Sequence, residues 1–220
     1  MQTPFSAAQF FNVFAQYNHA VWPVQIILIG LALAAVLLAA RAAKKSLAVT
    51  GLLAGFWVWM GVAYHLVFFA RITPLGFVFS ALFVLEGISI AWHGLRTRRL
   101  VLAATRERAP WIGGWVLIGY SLIAYPVLAL AFGQRYPAMP TFGLPCPTTI
   151  FTLGVFLWCR RPVPWSVLVV PGLWALVATS AAANFGVIED YALPLAAAVL
   201  FLTREWPRKM AEARAVQHSV

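Results

Sequence analysis

The chain consists mainly of long apolar stretches separated by short segments that carry charge. A stretch of about 20 apolar residues lets an α-helix cross the hydrocarbon core of a bilayer, where only helices and closed barrels satisfy their own backbone. The chain is therefore predicted to be an all-α polytopic membrane helix bundle with about seven spans. The predicted spans are residues 21–40, 47–70, 75–95, 111–133, 148–159, 165–183 and 185–203.

The basic residues predict the orientation of this bundle. Of the 16 Lys and Arg residues, all but Arg71 and Arg135 fall on one side of the predicted spans. An excess of basic residues marks the cytoplasmic side of a membrane protein. We therefore expect the N-terminus outside and the C-terminus in the cytoplasm. The net charge of +10 then faces lipid headgroups, so nucleic acid is not an expected partner.

The ends of the chain differ from the predicted spans, although residues 1–220 are expected to form one integral membrane domain. Residues 5–19 place aromatic side chains at helical spacing opposite polar ones, and Ser6 with Gln9 fits a capping box. This pattern predicts an interfacial helix on the outer surface. It carries no Lys or Arg, so we expect it to pack on the protein rather than bind lipid by charge. Residues 204–220 are predicted to form a cytoplasmic tail.

The fifth predicted span is short, and four prolines and a glycine precede it. We expect Pro145 and Pro147 to prevent this helix from extending toward its N-terminus. A helix over residues 148–159 is about 18 Å long, against about 30 Å of hydrocarbon, so the Pro-rich segment must dip into the outer leaflet. The amides of Thr148 and Thr149 are then expected to be free at a partly positive helix end, where an anion or a polarised ligand atom could bind.

Polar residues of other predicted spans reach the depth of this helix end. At about 1.5 Å per residue, His65, Tyr125 and Asp190 come to nearly the same level in three different helices. Equal depth does not establish a shared face, because the rotation of each helix about its axis is not known from sequence. The predicted ligand-binding residues are His65, Tyr125, Cys146, Thr148, Thr149 and Asp190.

Glu86 is predicted to lie near the bilayer midplane, about 15 Å from the cytoplasmic end of its span. An intramembrane carboxylate costs several kcal/mol unless it is paired or protonated. One interpretation makes Glu86 a proton- or cation-coupling group. The other makes it a protonated side chain that bridges two helices for packing.

The sequence does not identify a cofactor, and a metal ion is the one possibility that we weigh. No C-x-x-C, H-x-x-x-H or H-E-x-x-H spacing occurs, so no local metal motif is present. Imidazole, thiolate and carboxylate groups all bind zinc, however. A mixed site of His19, His65, Cys146 and Asp190 is therefore chemically allowed, although nothing in their spacing requires it.

Three parts of the sequence resemble an uncharacterised family of bacterial multi-pass membrane proteins. They are residues 11–18, the pair Tyr64-His65, and the motif Pro-Cys-Pro-Thr-Thr-x-Phe-Thr-x-Gly at residues 145–154. The resemblance covers most of the chain, and the Pro-Cys-Pro-Thr-Thr run is its specific part. It implies a bacterial inner-membrane location and nothing about substrate.

Three functions are consistent with these observations. The leading hypothesis is a small-solute or ion transporter or binding protein, with an outward-facing polar pocket at the broken helix. A second is a membrane-embedded enzyme that uses metal-bound water or Cys146, so whether the chain is an enzyme stays open. A third is a structural or sensory partner of another membrane protein. The expected partners are the lipid bilayer, a small solute or ion, and another membrane protein or a second copy.

Overall fold

The computed structural model describes residues 4–41, 43–104 and 107–204, and within these ranges the protein is helical with two isolated β-bridges. The predicted all-α class is confirmed. The predicted tail at residues 204–220 lies almost entirely outside the described residues. The α-helices are Ala7–Val21 (α1), Val24–Arg41 (α2), Ser46–Trp59 (α3), Leu75–Ala91 (α4), Arg108–Gly119 (α5), Tyr125–Ala131 (α6), Pro145–Leu157 (α7), Val169–Phe185 (α8) and Ala192–Thr203 (α9).

Several of these helices continue through π-helical or 3₁₀ turns. A π-helical segment, Met60–Leu66, extends α3, and another, Tyr120–Ala124, joins α5 to α6. Five helical stretches of the described residues are thereby long and apolar enough to cross a membrane. These are Val24–Arg41, Ala43–Arg71, Leu75–Arg96, Arg108–Ala131 and Trp165–Phe185.

Two of the seven predicted spans are not among these five stretches. The helix α7 has 13 residues, and α9 has 12 residues preceded by the 3₁₀ turn Ile188–Tyr191. Seven crossings therefore stay a prediction, whereas five helices have the necessary length and composition.

The start of α7 corrects the sequence interpretation. Pro145 and Pro147 do not block the helix; they lie in its first turn. Proline lacks a backbone N–H, and its φ is fixed near the helical value. It is therefore tolerated in the first turn of a helix, where a backbone N–H has no carbonyl acceptor within the helix. The helix consequently begins three residues earlier than the predicted Thr148.

The helix α7 lies in the centre of the bundle, with every side chain from Thr148 to Leu157 buried. It packs mainly against α5 and α9. A non-helical segment meets its C-terminal end: the Arg160 amide donates to the Val101 carbonyl over 3.0 Å, and Leu102 forms a bridge with Cys159. Irregular backbone inside a bundle needs such partners, because no water can satisfy it there.

Further hydrogen bonds join the loops that carry most of the described basic residues. The Ala104 amide donates to the Ala39 carbonyl, the Arg161 guanidinium to the Arg98 carbonyl, and the Arg204 guanidinium to the Val163 carbonyl. These contacts gather the ends of α2, α4, α7 and α9 at one end of the molecule. Which side of a membrane this end faces stays a prediction from the charge distribution.

The helix α1 packs against the other end of the bundle. The predicted capping box is present, since the Ser6 hydroxyl accepts from the Gln9 amide and the Gln9 side chain accepts from the Ser6 amide. Phe10, Phe14 and Tyr17 are buried against the protein. The expectation that this helix packs on the protein is therefore confirmed.

Candidate functional site

A cavity of about 260 Å³ lies between α1, the start of α7 and the second half of α8. Most of its wall is apolar, and aromatic rings from α1, α4, α6, α8 and the segment that follows α3 line it. The aromatic lining residues are Phe5, Phe10, Phe14, Tyr64, Phe69, Phe79, Tyr125, Trp174 and Phe185. Phe10 and Phe185 close one side, with ring centroids 4.7 Å apart. An engineered cavity of about 150 Å³ holds benzene, so this one has room for about ten non-hydrogen atoms.

Asp190, Tyr125 and Cys146 form a polar group in the cavity wall. The 3₁₀ turn before α9 carries Asp190, and the Tyr125 hydroxyl donates a short hydrogen bond to its Oδ1 atom. The Cys146 thiol, in the first turn of α7, interacts with the same carboxyl group. Asp190 is only 2 % exposed, so the carboxyl group depends on these neighbours rather than on water.

Trp174 adds an unusual donor to this polar group. Its side chain lines the cavity and is 8 % exposed, and within the described structure its Nε1 atom has no nitrogen or oxygen partner. Sulfur is only a weak acceptor, and the indole N–H makes no hydrogen bond with the neighbouring Cys146 thiol either. A buried indole N–H usually finds a strong acceptor. The site therefore has hydrogen-bonding capacity that the protein itself does not fully use.

The ionisable side chains in the described part of the cavity wall are acids, and none of them is a base. Asp190 is the only Asp or Glu among the described lining residues, and they include no Lys, Arg or His. A thiolate at Cys146 would thus have an acidic neighbour and no basic one in this wall. The arrangement does not resemble the thiol and base pairs that activate cysteine nucleophiles.

The structure brings together three of the six predicted ligand-binding residues, namely Tyr125, Cys146 and Asp190. Thr148 and Thr149 are fully buried and are not among the lining residues. The Thr148 amide donates to the Leu144 carbonyl over 3.3 Å, so the expectation that it is free was wrong. Since the helix starts at Pro145, two of its first three residues are prolines, which leaves little capacity for anion binding there.

His65 lies behind the cavity wall, in a cage of aromatic rings. Its ring centroid is 4.5 Å from that of Phe83, 5.0 Å from Tyr64 and 5.2 Å from Trp174. Neither imidazole nitrogen has a hydrogen-bond partner among the described residues. His65 thus supports the wall through ring packing, and its direct contact with a ligand stays a prediction.

The geometry does not support the mixed metal site. No group of three or more His, Cys, Asp and Glu side chains that could hold a metal ion occurs in the described part of the chain. His19 is exposed and packs beside Tyr136, while His65 is enclosed by aromatic rings. Cys146 and Asp190 therefore meet without either histidine.

Glu86 is separate from the cavity. It lies on the buried face of α4, is 1 % exposed, and has no hydrogen-bond partner for either carboxyl oxygen among the described residues. A buried carboxyl group without partners is costly to ionise, which is the physical basis of both interpretations of this residue. A coupling role for Glu86 stays a prediction.

The sequence did not predict that Trp174 and aromatic side chains of α1 line the cavity. The stripe of Phe10, Phe14 and Tyr17 does predict a packed face, but not the elements that it meets. Aromatic stripes in apolar helices usually pack in a core, and nothing local in the sequence distinguishes a cavity wall from a filled core.

Together, the fold and the site of the described residues define a class: an all-helical protein with five helices long and apolar enough to cross a membrane, and a cavity rich in aromatic rings that has one buried carboxyl group. A family model described as "Family of unknown function (DUF6064)" matches residues 7–212. The chain belongs to this family. No curated protein and no solved structure matches the chain.

Proposed function

We propose that this chain is a polytopic membrane protein that binds a small, mostly apolar ligand in the aromatic cavity. The observation that carries the proposal is a cavity of about 260 Å³ whose wall is mostly apolar and rich in aromatic rings, and which contains the polar group of Asp190, Tyr125 and Cys146. Concave, mostly apolar pockets with a few convergent polar groups are typical of small-molecule sites. This differs from the polar pocket that the sequence predicts, because Thr148 and Thr149 face elsewhere.

The outer surface of the helices supports a membrane location. Leu176, Leu195 and Leu202 are 68 %, 68 % and 86 % exposed, and many other large apolar side chains face outward. Soluble proteins rarely expose large continuous apolar patches, whereas lipid solvates them. The seven-span topology, the cytoplasmic C-terminus and a bacterial inner-membrane location are part of this proposal.

A cavity-filling substitution tests whether the cavity binds a ligand. Ala181 lines the cavity, so Ala181→Phe should fill part of it. The probe is a diazirine analogue of octane, photolysed with the protein in lipid nanodiscs, and the labelled peptides are mapped by mass spectrometry. We expect labelling of α1 and α8 residues at the cavity in the wild type and at least a fivefold loss in Ala181→Phe, since the added ring occupies space that the octane chain needs.

Ala183→Phe is the matched control, because Ala183 lies on the same helix and is exposed. It should keep wild-type labelling at the cavity. Equal cavity labelling in wild type and Ala181→Phe, or labelling confined to outward-facing side chains, would contradict the proposal.

A further inference from the structure

The polar end of the cavity offers both an acceptor and a donor. Asp190 accepts from Tyr125, and a carboxyl group has further acceptor capacity for a second donor. Trp174 presents an N–H that has no nitrogen or oxygen acceptor in the described structure. Both side chains line the same cavity and are more than nine-tenths buried. A ligand group that donates to one and accepts from the other would satisfy both.

We infer that the ligand of this cavity is an apolar molecule with a neutral hydroxyl head group, which donates to Asp190 and accepts from Trp174. A hydroxyl group supplies one donor and two acceptor lone pairs, as this pair of residues requires. The aromatic wall receives the hydrocarbon part of the ligand. This inference rests on the proposed function, and it identifies the chemical class of the ligand at that site.

Other head groups fit the same residues less well. A carboxylate or phosphate would be buried beside Asp190, with no Lys, Arg or His among the described lining residues to pair with it. An alkylammonium could pair with Asp190, but it offers no acceptor to the Trp174 N–H. A plain hydrocarbon leaves that N–H without a hydrogen-bond partner among the described residues. Of the head groups compared, the neutral hydroxyl is the one that uses both side chains.

The experiment compares diazirine probes that share an eight-carbon chain and differ at one end: octane, 1-octanol, octanoate and octylammonium. Each is used in nanodiscs at an equal measured concentration in the lipid, and labelling of cavity peptides is read by mass spectrometry. We expect octanol to label the cavity roughly tenfold more than octane in the wild type, as one net hydrogen bond implies. Octanoate and octylammonium should label it less than octanol.

Trp174→Phe tests the donor directly. It removes the N–H but keeps an aromatic ring, so the ratio of octanol labelling to octane labelling should fall to near one. Trp115→Phe is the matched control, since Trp115 lies on α5 and is 39 % exposed. It should leave both probes unaffected.

The possible outcomes separate this inference from the proposed function. Equal cavity labelling by octane and octanol in the wild type would overturn the hydroxyl inference and leave the apolar cavity site intact. Preferential labelling by octylammonium or octanoate would overturn it as well. Absence of cavity labelling by every probe would instead contradict the proposed function. These wild-type comparisons hold even if Trp174→Phe does not fold.

Discussion

Asn18 shows how one buried polar side chain can order a long irregular segment. Its amide nitrogen donates to the carbonyls of Pro137 and Met139, over 2.6 and 2.8 Å, and its amide oxygen accepts from Thr141 over 2.7 Å. The Gln25 side chain also donates to this oxygen. One side chain of α1 thereby satisfies much of the Pro-rich backbone, which has no helix or strand to pair with.

Tyr17 adds a second tie between α1 and the same segment. Burial raises the pKa of its phenol above the usual range, so the hydroxyl keeps its proton. It donates to the Gly143 carbonyl and accepts from the Trp59 indole over 2.8 Å. The contact with Gly143 depends on that residue having no side chain, since a Cβ there would lie 3.0 Å from the Tyr17 hydroxyl.

Asn18→Ala should destabilise the protein strongly. It leaves two buried carbonyls and two side-chain groups without their partner, which we expect to cost about 2 to 4 kcal/mol. The measurement is the free energy of unfolding in detergent. The control is Asn184→Ala, because Asn184 is exposed and bonds only to Ser180 within its own helix; it should change stability by less than about 0.5 kcal/mol. Equal stability of both variants would refute the role assigned to Asn18.

Among the elements, the contact between α5 and α7 depends on small residues. A Cβ at Gly114 would lie 2.1 Å from the Trp158 indole nitrogen, and a Cβ at Gly154 would lie 3.0 Å from Leu117. Trp158 is fully buried, so it has little room to move. Glycines at such positions let two helix backbones approach closely, as is common between helices in membranes.

Two glycines of α5 give a matched test of this contact. Gly114→Ala should destabilise the protein by about 1 to 3 kcal/mol, because its methyl group overlaps the Trp158 ring. Gly119→Ala has nothing within 4 Å of its Cβ, so it should be neutral or stabilising by up to about 1 kcal/mol through helix propensity. The measurement is the melting temperature of each variant in the same detergent. A lower melting temperature for Gly119→Ala than for Gly114→Ala would show that the helix contact is not as described.

For the molecule as a whole, the two ends of the bundle should face opposite sides of a membrane. The loops with most of the described basic residues are joined by hydrogen bonds at one end, while α1 and Arg135 lie at the other. The segregation of charge gives the expected direction, with the basic end in the cytoplasm.

Cysteine labelling tests this topology. Arg135→Cys and Arg99→Cys each place a thiol at an exposed position, one at each end. A membrane-impermeant maleimide added to intact cells, or to spheroplasts if an outer membrane is present, should label Arg135→Cys and not Arg99→Cys. After permeabilisation, both variants should be labelled more strongly than the parent protein. The reverse pattern would invert the proposed orientation, and labelling of both in intact cells would place both ends on one side.

Much of the fold could be predicted from sequence because its determinants are local. The length and apolar character of a span lie within its own residues, so the five long helices match predicted spans closely. The capping box of α1 needs only Ser6 and Gln9. The predicted start of α7 was wrong for a related reason. Pro145 and Pro147 are compatible either with a segment that ends before the helix or with the first helical turn. The hydrogen bond from the Thr148 amide to the Leu144 carbonyl decides between them.

The sequence by itself determined that this chain forms apolar helices, that its charges are segregated, and that polar residues from several helices share one depth. Only the tertiary structure decided that Asp190 meets Tyr125, 65 residues away, and Cys146, while Thr148 and His65 lie outside the cavity wall. The physical reason is that tertiary packing sets the rotation of each helix about its own axis. Depth follows from counting residues along a helix, but the face that a side chain occupies depends on how each helix packs against its neighbours.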